Sequence, residues 1–192
     1  MKQFEKSVWI WREGQAGKDE FVDFVDTFSR DGDTAGADTA CRLRIAADSN
    51  YSVWLNGELA AFGQYADYPF YKVYDTVDLT HLCRQGQNRL AITVWYYGEG
   101  FQTYAPGEAG LIYEILSAET VLAASTPSVL SRRSREYIAG EQMKISPQLG
   151  FTYHYDCKGD DGFRSSVADG FLPSRAVPGI SRDFHARPNQ KL

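Results

Sequence analysis

Short segments in which apolar and polar side chains alternate, each ended by turn residues, run through the first two thirds of the 192-residue chain. The clearest pair is residues 51–55 and 58–62, which flank Asn56-Gly57. An Asn-Gly pair readily adopts the positive φ angles of a type I′ turn, so this segment predicts a two-residue β-hairpin. Further strand-like runs lie at 8–11, 21–28, 41–45, 70–74, 89–96, 111–116 and 119–123. Many short strands with scarcely any helical periodicity predict an all-β fold, an antiparallel β-sandwich.

Alternation also predicts which side chains point inward, because successive residues of a strand face opposite sides of the sheet. In the run 21–28, Phe21 and Val25 fall on the side opposite to the other apolar residues. Cys41, Leu43 and Ile45 are expected to point inward. Two further sets each share one side of their strand, namely Val22, Phe24 and Phe28, and Leu90, Ile92 and Val94. Residues 29–39 are small and polar, which indicates a loop, whereas 78–86 indicates one or two helical turns that end near Gly86.

The character of the chain changes at about residue 126. Five of its seven prolines lie beyond that point, together with glycines at short intervals. Residues 1–126 are therefore predicted to form the β-sandwich module. Residues 127–192 are predicted to form a loop-rich extension, with a strand at 150–155, that packs on the module or links it to a following domain. The aromatic content of the extension argues against full disorder.

Charge and composition exclude several classes of partner. The net charge is −5, and no cluster of basic residues is longer than Arg132-Arg133, so no nucleic-acid partner is expected. The apolar runs are much shorter than the roughly 20 residues of a membrane span, and the first residues lack the apolar core of a signal peptide. Three cysteines without close spacing (Cys41, Cys83 and Cys157) are typical of reduced thiols. These features predict a cytoplasmic protein.

Sequence motifs of the common catalytic sites are not found. The chain has no phosphate-binding glycine loop, no Gly-x-Ser-x-Gly segment and no Cys-x-x-Cys pair, so no cofactor is expected. His81 with Cys83, and His154 with Cys157, lie too far apart to predict a four-ligand zinc site, and no metal is expected. The acidic residues within 156–161 are interpreted as a solvated turn, although paired carboxylates cannot be identified from sequence.

Aromatic side chains are concentrated in two loop segments, 62–70 and 95–104. Rings that cover the apolar faces of sugars, with planar polar groups beside them, are typical of carbohydrate sites. The candidate carbohydrate-binding residues are Trp95, Tyr97, Glu99, Phe101, Gln102 and Tyr104. Two other interpretations stay open, namely that these rings cap the ends of the core and that they pack against a neighbouring domain.

Two segments, in order, resemble a known family. Residues 45–57 combine an Ala-Asp turn, a tyrosine and a strand ending in Leu-Asn-Gly, and residues 74–80 read Tyr-Asp-Thr-Val-Asp-Leu-Thr ahead of Gly-Gln-Asn at 86–88. Together they resemble the β-sandwich module near the N-terminus of bacterial α-L-rhamnosidases. The resemblance implies a jelly-roll or galactose-binding-like sandwich within an enzyme that cleaves terminal α-L-rhamnosides with inversion. It places the acid and base of that family in a separate (α/α)-barrel domain, so no catalytic residue is carried over.

Three functions are open at this point. The first, and favoured, is a non-catalytic β-sandwich module of an α-L-rhamnosidase-like glycoside hydrolase, which packs against other domains and has carbohydrate contact as a further role. The second is a stand-alone lectin-like carbohydrate-binding domain that uses the 95–104 loop. The third is an independent hydrolase with a carboxylate pair that the sequence does not reveal. Whether the chain is itself an enzyme stays open, and no catalytic residue is expected within it.

Overall fold

The computed structural model describes residues 4–30, 40–64, 67–140 and 142–188, which form two large β-sheets packed face to face. The strands, in chain order, are β1 (Ile10–Trp11), β2 (Glu20–Arg30), β3 (Cys41–Asp48), β4 (Asn50–Leu55), β5 (Glu58–Gly63), β6 (Lys72–Asp78), β7 (Gly86–Tyr96), β8 (Gly110–Ser117), β9 (Thr120–Ala124), β10 (Leu130–Arg133), β11 (Lys144–Ser146), β12 (Gly150–Phe151), β13 (Leu172–Pro173), β14 (Arg175–Ala176) and β15 (Phe184–Ala186). The predicted all-β sandwich is confirmed.

Each sheet combines strands that are far apart in sequence. The seven-stranded sheet has the order β14-β1-β8-β3-β6-β15, with β9 also paired to β8, and the six-stranded sheet has the order β13-β10-β2-β7-β4-β5. Strands β11 and β12 form a separate hairpin. Within the described residues the strand pairs are antiparallel apart from β15 and β6, which run parallel. No helix among these residues is long and apolar enough to cross a membrane.

The core lies between the two sheets. Cys41, Leu43 and Ile45 are buried there, which confirms that they point inward, and the two sets of side chains that share one side of β2 and of β7 are buried in the same cluster: Val22, Phe24, Phe28, Leu90, Ile92 and Val94. Side chains of the seven-stranded sheet reach across this core. The Trp11 ring lies 5.7 Å from that of Phe24, and the Tyr113 hydroxyl donates to Asp26 over 2.7 Å. Burial of each large apolar side chain contributes about 1.5–3 kcal/mol to stability.

The six-stranded sheet is covered on its outer face as well. Phe21 and Val25 lie on the side of β2 opposite to Val22, Phe24 and Phe28, as predicted, and this side faces away from the core. Both are nevertheless buried, because the C-terminal segment folds over them. Phe163 packs on Val25 and Ala91, and Tyr137 stacks on Phe21 with ring centroids 4.4 Å apart. Strand β10 also extends this sheet by pairing with β2. The residues beyond 126 thus shape the surface of this sheet.

The hairpin at Asn56-Gly57 is confirmed. Asn56 has φ 55° and Gly57 φ 86°, as a type I′ turn requires. The Asn56 amide nitrogen donates to Leu82 O and to Asn88 Oδ1, both at 2.9 Å, and its oxygen accepts from the Arg89 backbone N–H at 3.0 Å. These contacts join the turn to the segment that leads into β7. Asn56 therefore fixes both the turn and its place in the fold.

Replacement of Gly57 by alanine is expected to lower the free energy of unfolding by about 1–2 kcal/mol. A Cβ there would lie 3.0 Å from Ser165 Cβ, on a backbone with φ +86° that L side chains rarely adopt. Urea denaturation measures the loss. Gly17→Ala is the matched control, since a Cβ at Gly17 meets no heavy atom within 4 Å. Equal effects of the two substitutions would contradict the assignment of strain to Gly57.

Several boundaries differ from the sequence predictions. Residues 78–86 contain a single helical turn, in which Leu79 O accepts from the N–H groups of Leu82 and Cys83. There is no room for a second turn, because β6 runs to Asp78 and β7 already begins at Gly86. The loop expected at 29–39 starts later, since Ser29 and Arg30 continue β2 by pairing with Gln87 and Gly86, and its residues 31–39 lie outside the described part of the chain.

Two further boundaries move by a few residues. The turn between β8 and β9 is Ala118-Glu119, because Ser117 still pairs with Thr120 and Ala118 takes a positive φ of 50°. The strand expected at 150–155 ends at Phe151, since the two-stranded hairpin offers β12 a partner of only three residues, β11. Both differences arise from the pairing partner, which local composition does not specify.

Candidate functional site

The predicted carbohydrate-binding loop lies against the β11–β12 hairpin. Its rings form a cluster in which Tyr97 is 5.2 Å from both Phe101 and Tyr104 and 6.5 Å from Phe151. A Cβ added to Gly150 would lie 2.6 Å from the Phe101 ring, so a glycine is needed for the hairpin to approach this closely. Three of the predicted rings thus serve internal packing.

Tyr104 and Tyr97 are also held through their hydroxyls. Tyr104 is buried, and its hydroxyl donates to Asp48 Oδ1 over 2.5 Å. The Tyr97 hydroxyl lies 2.6 Å from the Asn50 side-chain amide, and burial raises the pKa of Tyr97 to about 12. Burial and the Asp48 charge likewise raise the pKa of Tyr104 well above its ordinary value. Tyr104 thus joins the loop to the end of β3, and Tyr97 joins it to the start of β4.

The two polar residues of the loop are at the surface. Glu99 lies between two lysines, 2.7 Å from Lys144 Nζ and 3.2 Å from Lys18 Nζ, and these hydrogen bonds lower the pKa of Glu99. The Gln102 side chain is exposed, and its backbone N–H donates to Pro147 O over 3.1 Å. Phe101 and Gln102, with Lys144 and its neighbours, line a small cavity of about 470 Å³.

Trp95 belongs to a different surface, the outer face of the six-stranded sheet. There it lines a groove with three further half-buried or exposed rings, Trp54, Tyr137 and Tyr153, which we call the aromatic groove. The Trp95 ring stacks on Phe21 with centroids 4.9 Å apart, and its Nε1 donates to Asp19 Oδ1 over 2.9 Å. The groove continues over edge strand β5, and its total volume is about 1670 Å³.

Small polar side chains line the floor of the aromatic groove between its rings. Asn50, Ser52 and Thr93 supply amide and hydroxyl groups there. Rings flanking hydrogen-bonding groups match the chemistry of a sugar, which has apolar faces and equatorial hydroxyls. The arrangement can therefore contact a carbohydrate through stacking and a few hydrogen bonds.

Below and beside the groove lies a cluster of buried charges. The Arg164 guanidinium covers the Trp54 ring at 4.4 Å and forms a two-point ion pair with Glu136. Asp23 is fully buried, accepts from the Thr93 hydroxyl at 2.8 Å and has Arg132 Nε 3.7 Å away. Burial, opposed by the Thr93 hydrogen bond, raises the pKa of Asp23 to about 6. These charges fix the position of the segment that covers the sheet.

The raised pKa of Asp23 predicts a pH-dependent stability. The folded state retains the proton that the unfolded chain loses near pH 4, so the free energy of unfolding falls as the pH rises from about 4 to about 6. Asp23→Asn cannot titrate, and its stability relative to the parent chain is expected to rise by about 2–3 kcal/mol between pH 4 and pH 7.5. Urea denaturation at both pH values measures this change. The same stability difference between Asp23→Asn and the parent chain at both pH values would contradict this prediction. Asp169→Asn, at an exposed aspartate, controls for the loss of a carboxylate.

The acidic residues within 156–161 form a turn, as predicted, and one of them has a different partner from the other two. Asp156 Oδ1 accepts from the Lys158 N–H at 3.0 Å, and Asp160 Oδ1 accepts from the Gly162 N–H at 2.9 Å. Asp161 instead binds Arg132 Nη1 at 2.6 Å, which joins the turn to β10. In the described ranges of the chain, no three His, Cys, Asp or Glu side chains are placed to hold a metal ion.

Most residues of the aromatic groove lie outside the loop that the sequence predicts to bind carbohydrate. Trp54 carried a usable signal, because it alternates with the inward-facing Val53 and Leu55 and must point outward. A tryptophan that points outward from a central strand indicates either that another segment packs over it or that a ligand binds there. Tyr137 and Tyr153 carried no such signal, since only the path of the C-terminal segment brings them to β2 and β7.

The fold is similar to that of several solved structures, although sequence comparisons found no match. No protein-family profile matches the chain, and no curated protein matches it. Among solved structures, a GH78 family rhamnosidase of Bacillus sp. GL1 is similar with a TM-score of 0.81 and 24% identity, over 96% of this chain and 20% of that one. An α-L-rhamnosidase from Aspergillus terreus gives a TM-score of 0.71 and 21% identity, over 94% and 22%.

A lectin also has a similar fold, with a lower TM-score. The Pleurotus ostreatus lectin gives a TM-score of 0.59 and 18% identity, over 92% of this chain and 44% of that one. Identities this low establish the fold and leave function open. The chain has the fold of a β-sandwich module contained in these rhamnosidases, and it spans about a fifth of their length.

Proposed function

We propose that this chain is a non-catalytic β-sandwich module of an α-L-rhamnosidase-like glycoside hydrolase and packs against other domains of that enzyme. The observation that carries this proposal is the extent of the fold likeness. It covers 96% of this chain at a TM-score of 0.81 while accounting for 20% of the rhamnosidase. A β-sandwich that accounts for a fifth of a larger enzyme supports a role in packing against the remaining domains.

Exposed apolar side chains on and after edge strand β5 support the packing role. Leu59 is 57% exposed and Phe62 69%, and both line the groove, whereas Phe70, on the segment that follows β5, is 71% exposed. Exposed apolar side chains at a sheet edge are typical of surfaces that contact another domain. For the 62–70 segment the sequence leaves three interpretations open, namely ligand binding, packing against a domain and capping of the core, and its residues 65 and 66 lie outside the described part of the chain.

We also propose that residues 127–188 belong to the module rather than to a linker. Strands β10 and β14 pair with β2 and β1, one in each sheet, and Phe163 is fully buried. Limited proteolysis tests this, since a linker would be cleaved near residue 127 ahead of the rest. The cytoplasm stays the proposed compartment, supported by three free thiols among the described residues, and cell fractionation tests it.

Two measurements test the enzyme-module proposal. The purified 192-residue chain is expected to release no nitrophenol from an aryl α-L-rhamnoside above the buffer rate, and turnover by this chain would overturn the non-catalytic assignment. The gene is expected to continue into, or to lie beside, a coding segment with long amphipathic helices that form a barrel domain. A gene context without any such segment would contradict the packing role.

A second candidate function is a lectin-like domain that binds sugar in the aromatic groove. The observation that favours it is the set of rings flanking Asn50, Ser52 and Thr93 on one sheet face. Titration with millimolar L-rhamnose and N-acetylgalactosamine, followed by NMR, tests binding. Trp95→Ala is expected to weaken binding at least tenfold, whereas the exposed Leu149→Ala is the matched control. The absence of any sugar-dependent shift would remove this candidate.

The same titration distinguishes sugar binding in the aromatic groove from sugar binding at the predicted loop. Tyr104 and Tyr97 are unsuitable for substitution because they are packed inside the module, whereas Gln102 and Glu99 are at the surface. Binding that survives Trp95→Ala but is lost in Gln102→Ala or Glu99→Ala would place the sugar at the loop. Loss in Trp95→Ala alone would place it in the groove.

A further inference from the structure

The aromatic groove runs across the strands of the six-stranded sheet, as the strand register shows. Residues directly opposite one another in neighbouring strands share a face of the sheet. On the outer face, Thr93 of β7 lies opposite Ser52 of β4, and Ser52 lies opposite Phe62 of β5. All three line the groove. They form a row perpendicular to the strands, in which two small hydroxyl-bearing side chains are followed by an exposed ring.

A tryptophan lies on each side of this row. Trp95 is two residues beyond the row in β7, and Trp54 is two residues beyond it in β4. Because β4 and β7 are antiparallel, the two rings lie on opposite sides. The C-terminal segment adds to both, since Tyr153 contacts Trp95 with centroids 6.3 Å apart and the Arg164 guanidinium covers Trp54 at 4.4 Å. The row is therefore the floor of the aromatic groove, and the tryptophans form its walls.

One end of this floor is closed and the other is open. Asp23 of β2 continues the row beyond Thr93, but it is fully buried and does not line the groove. At the other end, β5 is the last of the described strands in this sheet, and Phe62 is 69% exposed there. From Thr93 to Phe62 the floor extends over two strand spacings, or about 10 Å. A chain-like ligand can thus place its end at Thr93 and leave the groove over Phe62.

The lining groups match an uncharged carbohydrate. In the described part of the six-stranded sheet, the side chains that line the groove are uncharged, and the charged lining residues belong to the other sheet or to the segment after β15: Arg42, Asp75, Asp78 and Arg187. The Thr93 hydroxyl donates to Asp23, so its oxygen can accept from a sugar hydroxyl. The volume of about 1670 Å³ exceeds the roughly 300–1,000 Å³ of a typical small-molecule pocket, which favours more than one sugar unit.

We propose that the aromatic groove binds the end of an uncharged oligosaccharide. Its terminal sugar lies between the tryptophan walls and hydrogen-bonds to Thr93 and Ser52, and the next sugar stacks on Phe62. This inference rests on the lectin-like candidate function and specifies its ligand. It assigns the Phe62 end of the groove to the oligosaccharide and leaves Phe70, outside the groove, for packing against another domain.

The first test is a glycan array that carries uncharged and acidic oligosaccharides from plant and microbial polysaccharides. We expect the 192-residue chain to bind uncharged members that share a terminal disaccharide. An array without any bound glycan, or with acidic glycans alone, would overturn the proposal.

The second test uses the trisaccharide that the array identifies and its terminal monosaccharide, each titrated by NMR. The trisaccharide is expected to bind at least about fivefold more tightly, the gain of one further ring contact. Phe62→Ala is expected to remove most of this gain while leaving the Kd of the monosaccharide within about twofold. Phe70→Ala is the matched control, since Phe70 is 71% exposed outside the groove, and it should change neither value.

Two results of these titrations would overturn the proposal. Equal Kd values for the monosaccharide and the trisaccharide would show that a single sugar fills the site, an outcome that keeps the lectin-like candidate. A Phe62→Ala variant that binds the trisaccharide as tightly as the parent chain would show that the ligand does not leave over β5. The non-catalytic assignment is tested separately, by the turnover measurement, and depends on neither result.

Discussion

Replacement of Lys72 by methionine is expected to lower the free energy of unfolding by about 3–5 kcal/mol. Lys72 is 1% exposed, and its Nζ lies 2.8 Å from Asp67 Oδ1 and 3.4 Å from Asp48 Oδ2. Without the ammonium group, two buried carboxylates would keep hydrogen bonds from neighbours such as Tyr104 and the Val73 N–H but would lose the cation that lies within 3.4 Å of both. Burial already raises the pKa of Asp67, an effect that Lys72 opposes.

The stability lost on replacement of Lys72 by methionine should be larger at high pH than at low pH. It is greatest at pH 8 and smaller at pH 4, because burial raises the pKa of Asp67 and protonation of Asp67 removes part of the carboxylate repulsion. Urea denaturation at the two pH values measures it. Lys158→Met, at an exposed lysine, is the control and should change stability by less than about 0.5 kcal/mol. A Lys72 effect as small as that of the control would show that the charge does not hold this cluster.

Glu136→Ala is expected to lower the free energy of unfolding by a similar amount, about 3–5 kcal/mol. Glu136 is 1% exposed, and its Oε1 accepts from Arg164 Nη1 at 2.6 Å as one half of a two-point ion pair. Its loss leaves a partly buried guanidinium above Trp54 without that carboxylate. We therefore expect the segment around Phe163 to loosen from the sheet, and the tryptophan fluorescence to shift toward longer wavelength.

The same arginine supplies a matched control. Asp160 Oδ1 lies 3.7 Å from Arg164 Nη1, but this carboxylate is half exposed. Exposed ion pairs contribute little, so Asp160→Ala should cost less than about 1 kcal/mol and leave the fluorescence unchanged. Equal losses for Glu136→Ala and Asp160→Ala would contradict the view that the buried pair holds the C-terminal segment in place.

The strands and their inward faces were predictable because they follow local rules. A strand places alternate side chains on opposite faces, so Cys41, Leu43 and Ile45 had to share one side. The turn at Asn56-Gly57 was predictable for a similar reason, since positive φ angles are set by the two residues themselves. The resemblance to the rhamnosidase module rested on these same local features, and it agreed with the fold.

The aromatic loop shows where such rules end. Composition alone marked residues 95–104 as one site, and the structure divides them between two surfaces. Tyr97, Phe101 and Tyr104 pack toward the β11–β12 hairpin, whereas Trp95 faces the aromatic groove beside Tyr153. Neither partner segment could be assigned from sequence, because both come from beyond residue 126 and reach their positions through tertiary contacts.

By itself, then, the sequence determined most of the strands, the class of fold and which side chains share a strand face, since each depends mainly on neighbours within a few positions along the chain. Tertiary structure alone decided the boundaries that depend on a pairing partner, the cover of the outer face at Phe21 by the C-terminal segment, and the meeting of Glu136 with Arg164 above Trp54. Glu136 and Arg164 are 28 positions apart and Phe21 and Tyr137 are 116 apart, and only the packing of the C-terminal segment on the six-stranded sheet brings these side chains into contact.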